Sequence, residues 1–230
     1  MAKYILNNSI KLIVCNMAGT TINEGGIVYK TLYETIKNNN IYIEENEIKD
    51  WYGINKTQVL QHFINRDLKF KNDDTILPNL LKEFKQNLIF NYSDDGMIRL
   101  IDPQLPQLFN SFREKNIKIA LNSGFPVDIQ ELLIKSLKIE QFIDGYISSD
   151  EVPHGRPEPY VIRNLMDRFN ITDSKNVIKL GDSMNDVLEG INSGCKDSIG
   201  VLSGAETKEN LIKVGATKIL NSVMDLKLEE

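Results

Sequence analysis

Four short apolar runs, each stopping at turn residues, limit what this chain can fold into: Ile10 to Asn16 (IKLIVCN), Ile117 to Ser123 (IKIALNS), Tyr146 to Ser149 (YISS) and Asn176 to Asp182 (NVIKLGD). Their near-continuous Ile, Val and Leu content suits strands covered on both faces, as in a parallel sheet. Helical patterns separate the last three. Ile129, Leu132, Leu133 and Leu137 recur at helical spacing, and PEPYVIRNLMDRF opens on prolines, which suit a first helical turn. Strand alternating with helix from Ile117 onward predicts a doubly wound α/β domain with a parallel sheet.

The first two strands are instead separated by a long stretch that reads as entirely helical. Tyr29, Leu32, Tyr33 and Ile36 share a face, as do Val59, Leu60, Phe63 and Ile64, and Leu77, Leu81, Phe84 and Leu88 form a third stripe. The economical reading is an α/β core formed by residues 1–24 and 97–230, with an inserted all-helical cap over residues 25–96. A chain of 230 residues, 41% hydrophobic and 26% charged, is long enough for one domain plus such an insertion, burying roughly 70–75% of its unfolded surface. Gly25, Gly26 and the NYSDDG stretch ending at Gly96 are the expected hinges for closing the cap over the cleft. The asparagines at 38–40 read as a helix end.

Charge and patterning exclude several function classes. Net charge is −5 with a sequence pI near 5.3, and Lys and Arg are scattered singly, so no basic face is expected to neutralise a nucleic-acid backbone. The opening MAKYILNNSIKLIVCNMAG is interrupted by Asn7, Asn8, Ser9 and Lys11, and no apolar run nears the ~18 residues of a membrane span. Neither a membrane span nor a signal peptide is expected, and the chain reads as cytoplasmic. Cys15 and Cys195 form no disulfide or metal spacing and read as small buried residues.

Ligands of an open α/β sheet bind at the carboxyl ends of its strands, so the chemistry is sought where the apolar runs stop. The first tip offers Asn16, Met17, Ala18, Gly19, Thr20 and Thr21, the second Ser123 and Gly124. Beyond the third comes HGRPEP with Arg156, and the fourth is GDSMND with Asp182 and Asp186. Those two aspartates flank a strand-to-helix turn that can aim both carboxylates at one point, as hard oxygen ligands for Mg²⁺. The bland alternative has Asp182 capping the helix and Asp186 solvated in its first turn. Backbone N–H groups from Met17 to Thr20, with Gly19 allowing close approach, can cradle phosphate oxygens, and the Ser123 hydroxyl adds a donor. Arg156 supplies a fork that fits a phosphoryl group.

The set CNMAGTT, LNSG, GRPEP and GDSMND, in this order and with a helical insert after the first, resembles the haloacid dehalogenase superfamily of phosphoryl-transfer enzymes. The resemblance covers nearly the whole chain. More narrowly, MAGTT, GRPEP and the C-terminal GVLSGAETKENLIKVGATKILNSVMDL resemble the phosphonatase-like group, relatives of phosphonoacetaldehyde hydrolase. The resemblance implies Mg²⁺ held by a set of Asn16, Ala18, Asp182 and Asp186, a small phosphorylated or phosphonate metabolite as ligand, and Arg156 against nucleophile and phosphate. It also implies that WYGINKTQVLQHF is a specificity loop lowered over the site, with Lys56 where the group forms a Schiff base with an aldehyde substrate. Two positions depart from that pattern: Val59 stands where a histidine is expected, and Tyr52 where a methionine is expected. A solvated helix-start lysine is the alternative for Lys56. His62, Trp51 and Tyr52 read as packing residues, and His154 as a neighbour of the site.

By the same resemblance, the nucleophile is an aspartate where this chain has Asn16. An amide cannot attack phosphorus usefully, and its oxygen could ligate a metal only without charge. Loss of a nucleophile costs a well-studied hydrolase ~10⁶ in rate, or ~8 kcal/mol of barrier, so little activity is expected from the chain as written, whether evolution or substitution put Asn16 there. Ala18 replaces the acid that other members use to protonate a leaving group. Phosphonatase-like members carry alanine there, because a carbon leaving group activated as an imine needs no such acid. The reading is thus a Mg²⁺-dependent phosphonatase-like hydrolase of a small organophosphorus compound. The alternative is a non-catalytic relative that binds a phosphorylated metabolite. Oligomeric state is left open.

Overall fold

The computed structural model describes residues 3–70, 73–93 and 97–229. The strands are β1 (Tyr4–Leu6), β2 (Leu12–Asn16), β3 (Ile22–Asn23), β4 (Arg99–Leu100), β5 (Lys118–Ser123), β6 (Gly145–Ser148), β7 (Val177–Gly181), β8 (Asp197–Val201), β9 (Lys218–Leu220) and β10 (Leu226–Leu228). The helices are α1 (Ile27–Asn38), α2 (Lys56–Arg66), α3 (Ile76–Tyr92), α4 (Leu105–Glu114), α5 (Val127–Ser136), α6 (Tyr160–Arg168), α7 (Met184–Asn192) and α8 (Lys208–Lys213). A six-stranded sheet in the order β6-β5-β2-β7-β8-β9, parallel throughout, forms the centre. The four predicted strands occupy its first four places, and strand order reverses between β5 and β7 with β2 in the middle. That is the doubly wound α/β core expected from the apolar runs.

The pleat sorts β2 between two apolar layers. Leu12 and Val14 pack with Val161, Ile162 and Leu165 of α6, while Ile13 and Cys15 join the larger cluster that includes Phe109 and Phe112 of α4 and Ile129 and Leu133 of α5. Each of these side chains is essentially free of solvent. Burying one such side chain contributes about 1.5–3 kcal/mol, which pins the register of β2 and with it the direction of its tip. Leu132, assigned to the buried stripe of α5, is 39% exposed. The buried face is instead Ile129, Gln130, Leu133 and Ile134.

Between β2 and β5 the described residues are dominated by α1, α2 and α3, with short 3-10 turns at Glu45–Trp51 and Leu68–Phe70. Val59, Leu60, Phe63 and Ile64 are all buried on α2, and Leu32 and Ile36 on α1. On α3 the buried face is Leu80, Phe84 and Leu88, with Leu77 and Leu81 packed at its edge. The helices leave and return through an antiparallel pair, Ile22 opposite Leu100 and Asn23 opposite Arg99. Gly25 and Gly26 adopt φ of 65° and 75°, which bends the chain into α1. Of the other expected hinge, Asn91 and Tyr92 end α3, while residues 94–96 lie outside the described residues. Among the described residues no helix is long and apolar enough to cross a membrane.

Candidate active site

The tips of β2, β5 and β7 end side by side, and the loop carrying Arg156 follows β6 and its short turn. Asn16 closes β2. Its carboxamide nitrogen donates to the Ala18 carbonyl at 2.9 Å and to Asp182 Oδ1 at 2.8 Å, and its Oδ1 accepts from Arg156 at 3.1 Å. These partners settle which end of the amide is which. Turned over, it would set nitrogen against guanidinium and oxygen against two acceptors. Thr20 Oγ1 also reaches Asp182 Oδ1 at 3.1 Å, and the Ala205 N–H donates to Oδ2 at 2.9 Å. Asp182 fits because its neighbours are bare: a Cβ on Gly19 or Gly204 would stand 2.2 or 2.0 Å from its Oδ2.

Asp186 is neither a solvated first-turn acid nor free. Ser183 caps α7, accepting from the Asp186 N–H, and Asp186 answers with Oδ2 on the Ser183 hydroxyl at 2.6 Å. Asp186 Oδ1 pairs with the Arg156 guanidinium and with Lys179 Nζ at 2.8 Å. Lys179 sits in the middle of β7, fully buried, and also binds Asn122 Oδ1 at 2.7 Å and Glu189 Oε2 at 3.3 Å. Burial opposes ionisation of Asp186, but Arg156 and Lys179 outweigh it and hold its carboxyl below the ordinary range. Burial, then the charge on Asp186, pushes Asp182 up. Arg156 is 2% exposed, and its Nε finds no acceptor among the described residues.

Several expected phosphate donors are spent inside the turn. Gly19 N donates to Ile22 O at 2.8 Å and Thr20 N to Met17 O at 3.1 Å, because the φ of 77° at Gly19 folds the tip back on itself. The Met17 and Ala18 amides take no turn bond among the described residues. Met17 turns its side chain into the core against Gln130. Ser123 Oγ accepts from Phe125 N at 2.7 Å, and its hydroxyl still has a proton to give.

Lys56 is not a solvated helix-start lysine. Asn55 caps α2 by accepting from Gln58 N, and the Lys56 side chain, 3% exposed, lies 4.9 Å over the Tyr29 ring with Nζ donating to Ile54 O at 2.8 Å. Burial, then the nearby Arg156 charge, lowers its pKa to about 7, with Glu24, Asp186 and Asp182 opposing. The loop before it is seated on the sheet by two close backbone approaches. A Cβ on Gly124 would meet Ile54 O at 2.6 Å, and one on Gly53 would meet Ser183 Oγ at 2.2 Å. Lys56 N donates to Gly124 O, Asn185 to Tyr52 O, Asn55 to Asp150, and Gly53 N to the Tyr29 hydroxyl. What remains between Asn16, Ala18, Tyr29, Lys56, Ser123 and Arg156 is a cavity of about 10 Å³, room for one water. A larger one of about 300 Å³ opens beyond Ala18, Gly19, Tyr29 and Asp182.

Sequence reading passed over Lys179, Asn122, Glu189 and Tyr29. Lys179 left a signal, a charge within an otherwise apolar run; Tyr29 was read only as one face of a helix. Trp51 and His62 stack with ring centroids 4.4 Å apart, and the exposed His154 lies 5.7 Å from the Tyr160 ring and lines a cavity with Arg156.

The profile of the haloacid dehalogenase-like hydrolases matches residues 13–201, from β2 through β8. The chain belongs to that family. Among haloacid dehalogenase-like hydrolases it falls with the phosphonatase-like group: it is 25% identical over 211 residues to phosphonoacetaldehyde hydrolase of Lactiplantibacillus plantarum, covering 86% of this chain and 77% of the relative. Its fold matches a hydrolase from Pseudomonas syringae with TM-score 0.80 and 17% identity, covering 94% of this chain and 95% of the other. It also matches a phosphonoacetaldehyde hydrolase-like protein from Oleispira antarctica with TM-score 0.78 and 18% identity, covering 98% and 92%.

Hydrolases of this family generally use Mg²⁺. The donors present here do not fit that ion well. Of the expected set, Ala18 and Asp182 Oδ1 already accept from the Asn16 amide, Asn16 Oδ1 accepts from Arg156, and both oxygens of Asp186 are taken. No group of three or more His, Cys, Asp or Glu side chains that could hold a metal occurs among the described residues.

Proposed function

We propose that this chain is a phosphonatase-like hydrolase fold for a small organophosphorus compound bearing an aldehyde, with Arg156 holding phosphoryl oxygens and Lys56 taking the carbonyl. The observation that carries the reading is Lys56: a buried amine lowered to about 7, lining one cavity with Asn16, Ser123 and Arg156. A neutral amine attacks a carbonyl carbon, water leaves, and an imine remains. The iminium draws electrons from the adjacent carbon–phosphorus bond, so the departing carbon needs no proton donor, which agrees with Ala18. The unpartnered Nε of Arg156 and the Ser123 hydroxyl are donors for phosphoryl oxygens. We read residues 25–96 as a cap on a core of 1–24 and 97–230. Mg²⁺ dependence and phosphoryl transfer belong to the form with a carboxylate at position 16. With Asn16 the sequence stops at the imine.

Borohydride added to the chain with phosphonoacetaldehyde is expected to leave a reduced adduct on Lys56, located by peptide mass mapping. An unmodified Lys56 would remove the aldehyde from the reading. The second reading, a binding protein without turnover, is favoured by Asn16 itself, whose amide is fully engaged by Ala18, Asp182 and Arg156. It predicts phosphate or phosphonate binding with no gain in turnover when position 16 becomes aspartate.

A further inference from the structure

The two N–H groups of the Asn16 amide each meet one oxygen, a main-chain carbonyl and a carboxylate, and both are oxygens that a hard cation would take. The amide cannot turn to offer its own oxygen, because Arg156 holds that oxygen from the other side. Below it, Asp186 and Glu189 are matched by Arg156 and Lys179, all four nearly or wholly free of solvent, so no uncompensated carboxylate pair waits for a divalent charge. A cation entering here must break both amide bonds, lose the charge an aspartate would have supplied and crowd Arg156. We propose that Asn16 itself fills the cation position of this pocket, so that the chain does not take up Mg²⁺ while that amide stands there.

The block resides in one side chain, because the Ala18 carbonyl and Asp182 Oδ1 are the oxygens the Asn16 amide covers, whereas Asp186 is held by Ser183, Lys179 and Arg156. Asp182 remains aimed at the point where Asn16 now stands, through Ala205, Thr20 and the bare Gly19 and Gly204. The inference does not depend on imine chemistry. Failure to trap Lys56 and uptake of Mg²⁺ by the native chain are separate results, and each overturns only its own claim.

The test is a titration of MgCl₂ into the full chain at constant ionic strength, by calorimetry and by thermal midpoint. The native chain is expected to give no saturable heat and no midpoint shift at millimolar Mg²⁺. Asn16→Asp is expected to bind at least about tenfold more tightly and to gain a concentration-dependent midpoint. Saturable Mg²⁺ binding by the native chain, as tight as that of Asn16→Asp, overturns the proposal, as does an Asn16→Asp form that folds and ignores the metal. Should Asn16→Asp not fold, Asn16→Ala decides: with the amide gone its lowered midpoint should be raised by Mg²⁺ while the native midpoint stays put, and two equal responses would contradict the claim.

Discussion

An amine buried over the Tyr29 ring, with Arg156 nearby, makes the chemistry of this pocket depend on pH in a defined direction. Lys56 titrates near 10.5 in the unfolded chain and near 7 in the fold. Between those values the unfolded chain holds the extra proton, so this residue makes stability rise with pH. Its penalty is complete below pH 7 and relieved by about 10.5. Lys56→Met is therefore expected to melt above the native chain at pH 6, and the gap should narrow as pH climbs through the window. A gap of constant size would contradict the buried-amine description. Borohydride trapping should grow over the lower part of the same window as free amine accumulates. At this scale the sequence made the candidates legible, because Asn16 and Asp182 stand at strand tips that the apolar runs mark, and Arg156 and Asp186 follow in the loop and helix turn beyond such tips. It did not reveal that Lys56 is buried, since that follows from Gly124 far along the chain, nor that Asp186 is consumed by Lys179.

At the scale of elements, two glycines let the loop ahead of α2 settle onto β5 and α7. Gly124→Ala sets a methyl 2.6 Å from Ile54 O, against backbone that cannot yield cheaply, so the loop must lift and the Lys56 N–H must leave Gly124 O. The expected result is a folded protein whose Lys56 pKa moves back up, each unit costing about tenfold in free amine at neutral pH. The pH profile of imine trapping reads this shift, and an unmoved profile would mean that the loop is not seated by Gly124. The strands of the core were readable from their continuous apolar runs, and α2 from its stripe. The short pairs β3–β4 and β1–β10 were not, being two or three residues long and held by partners distant in sequence. Leu132 misled for a related reason: spacing identifies a helix face but not how far its burial extends.

The whole molecule stands closed, with room for a water where the reaction would occur. On the proposed reading of residues 25–96 as a cap, substrate enters by lifting α1 to α3 away from the sheet tips, breaking the contacts of Lys56, Asn55 and Asn185 described above. Asp150, which accepts from Asn55 at 2.6 Å, is one anchor that lies outside the cavity. Asp150→Ala is expected to favour the open form by about 1.5 kcal/mol, read as stronger acrylamide quenching of Trp51, the single tryptophan, which sits in that same loop. Unchanged quenching would place the closure elsewhere. The parallel α/β core could be read from the order of apolar runs. What sequence could not convey is the degree of closure, which is a sum of long-range contacts. The account as a whole turns on one atom at position 16. Asn16→Asp, assayed with Mg²⁺ and phosphonoacetaldehyde beside a panel of phosphate esters, should turn over the phosphonate orders of magnitude faster than the native chain, up to the ~10⁶ that a lost nucleophile costs. A folded Asn16→Asp protein with no gain on any of these compounds would contradict it.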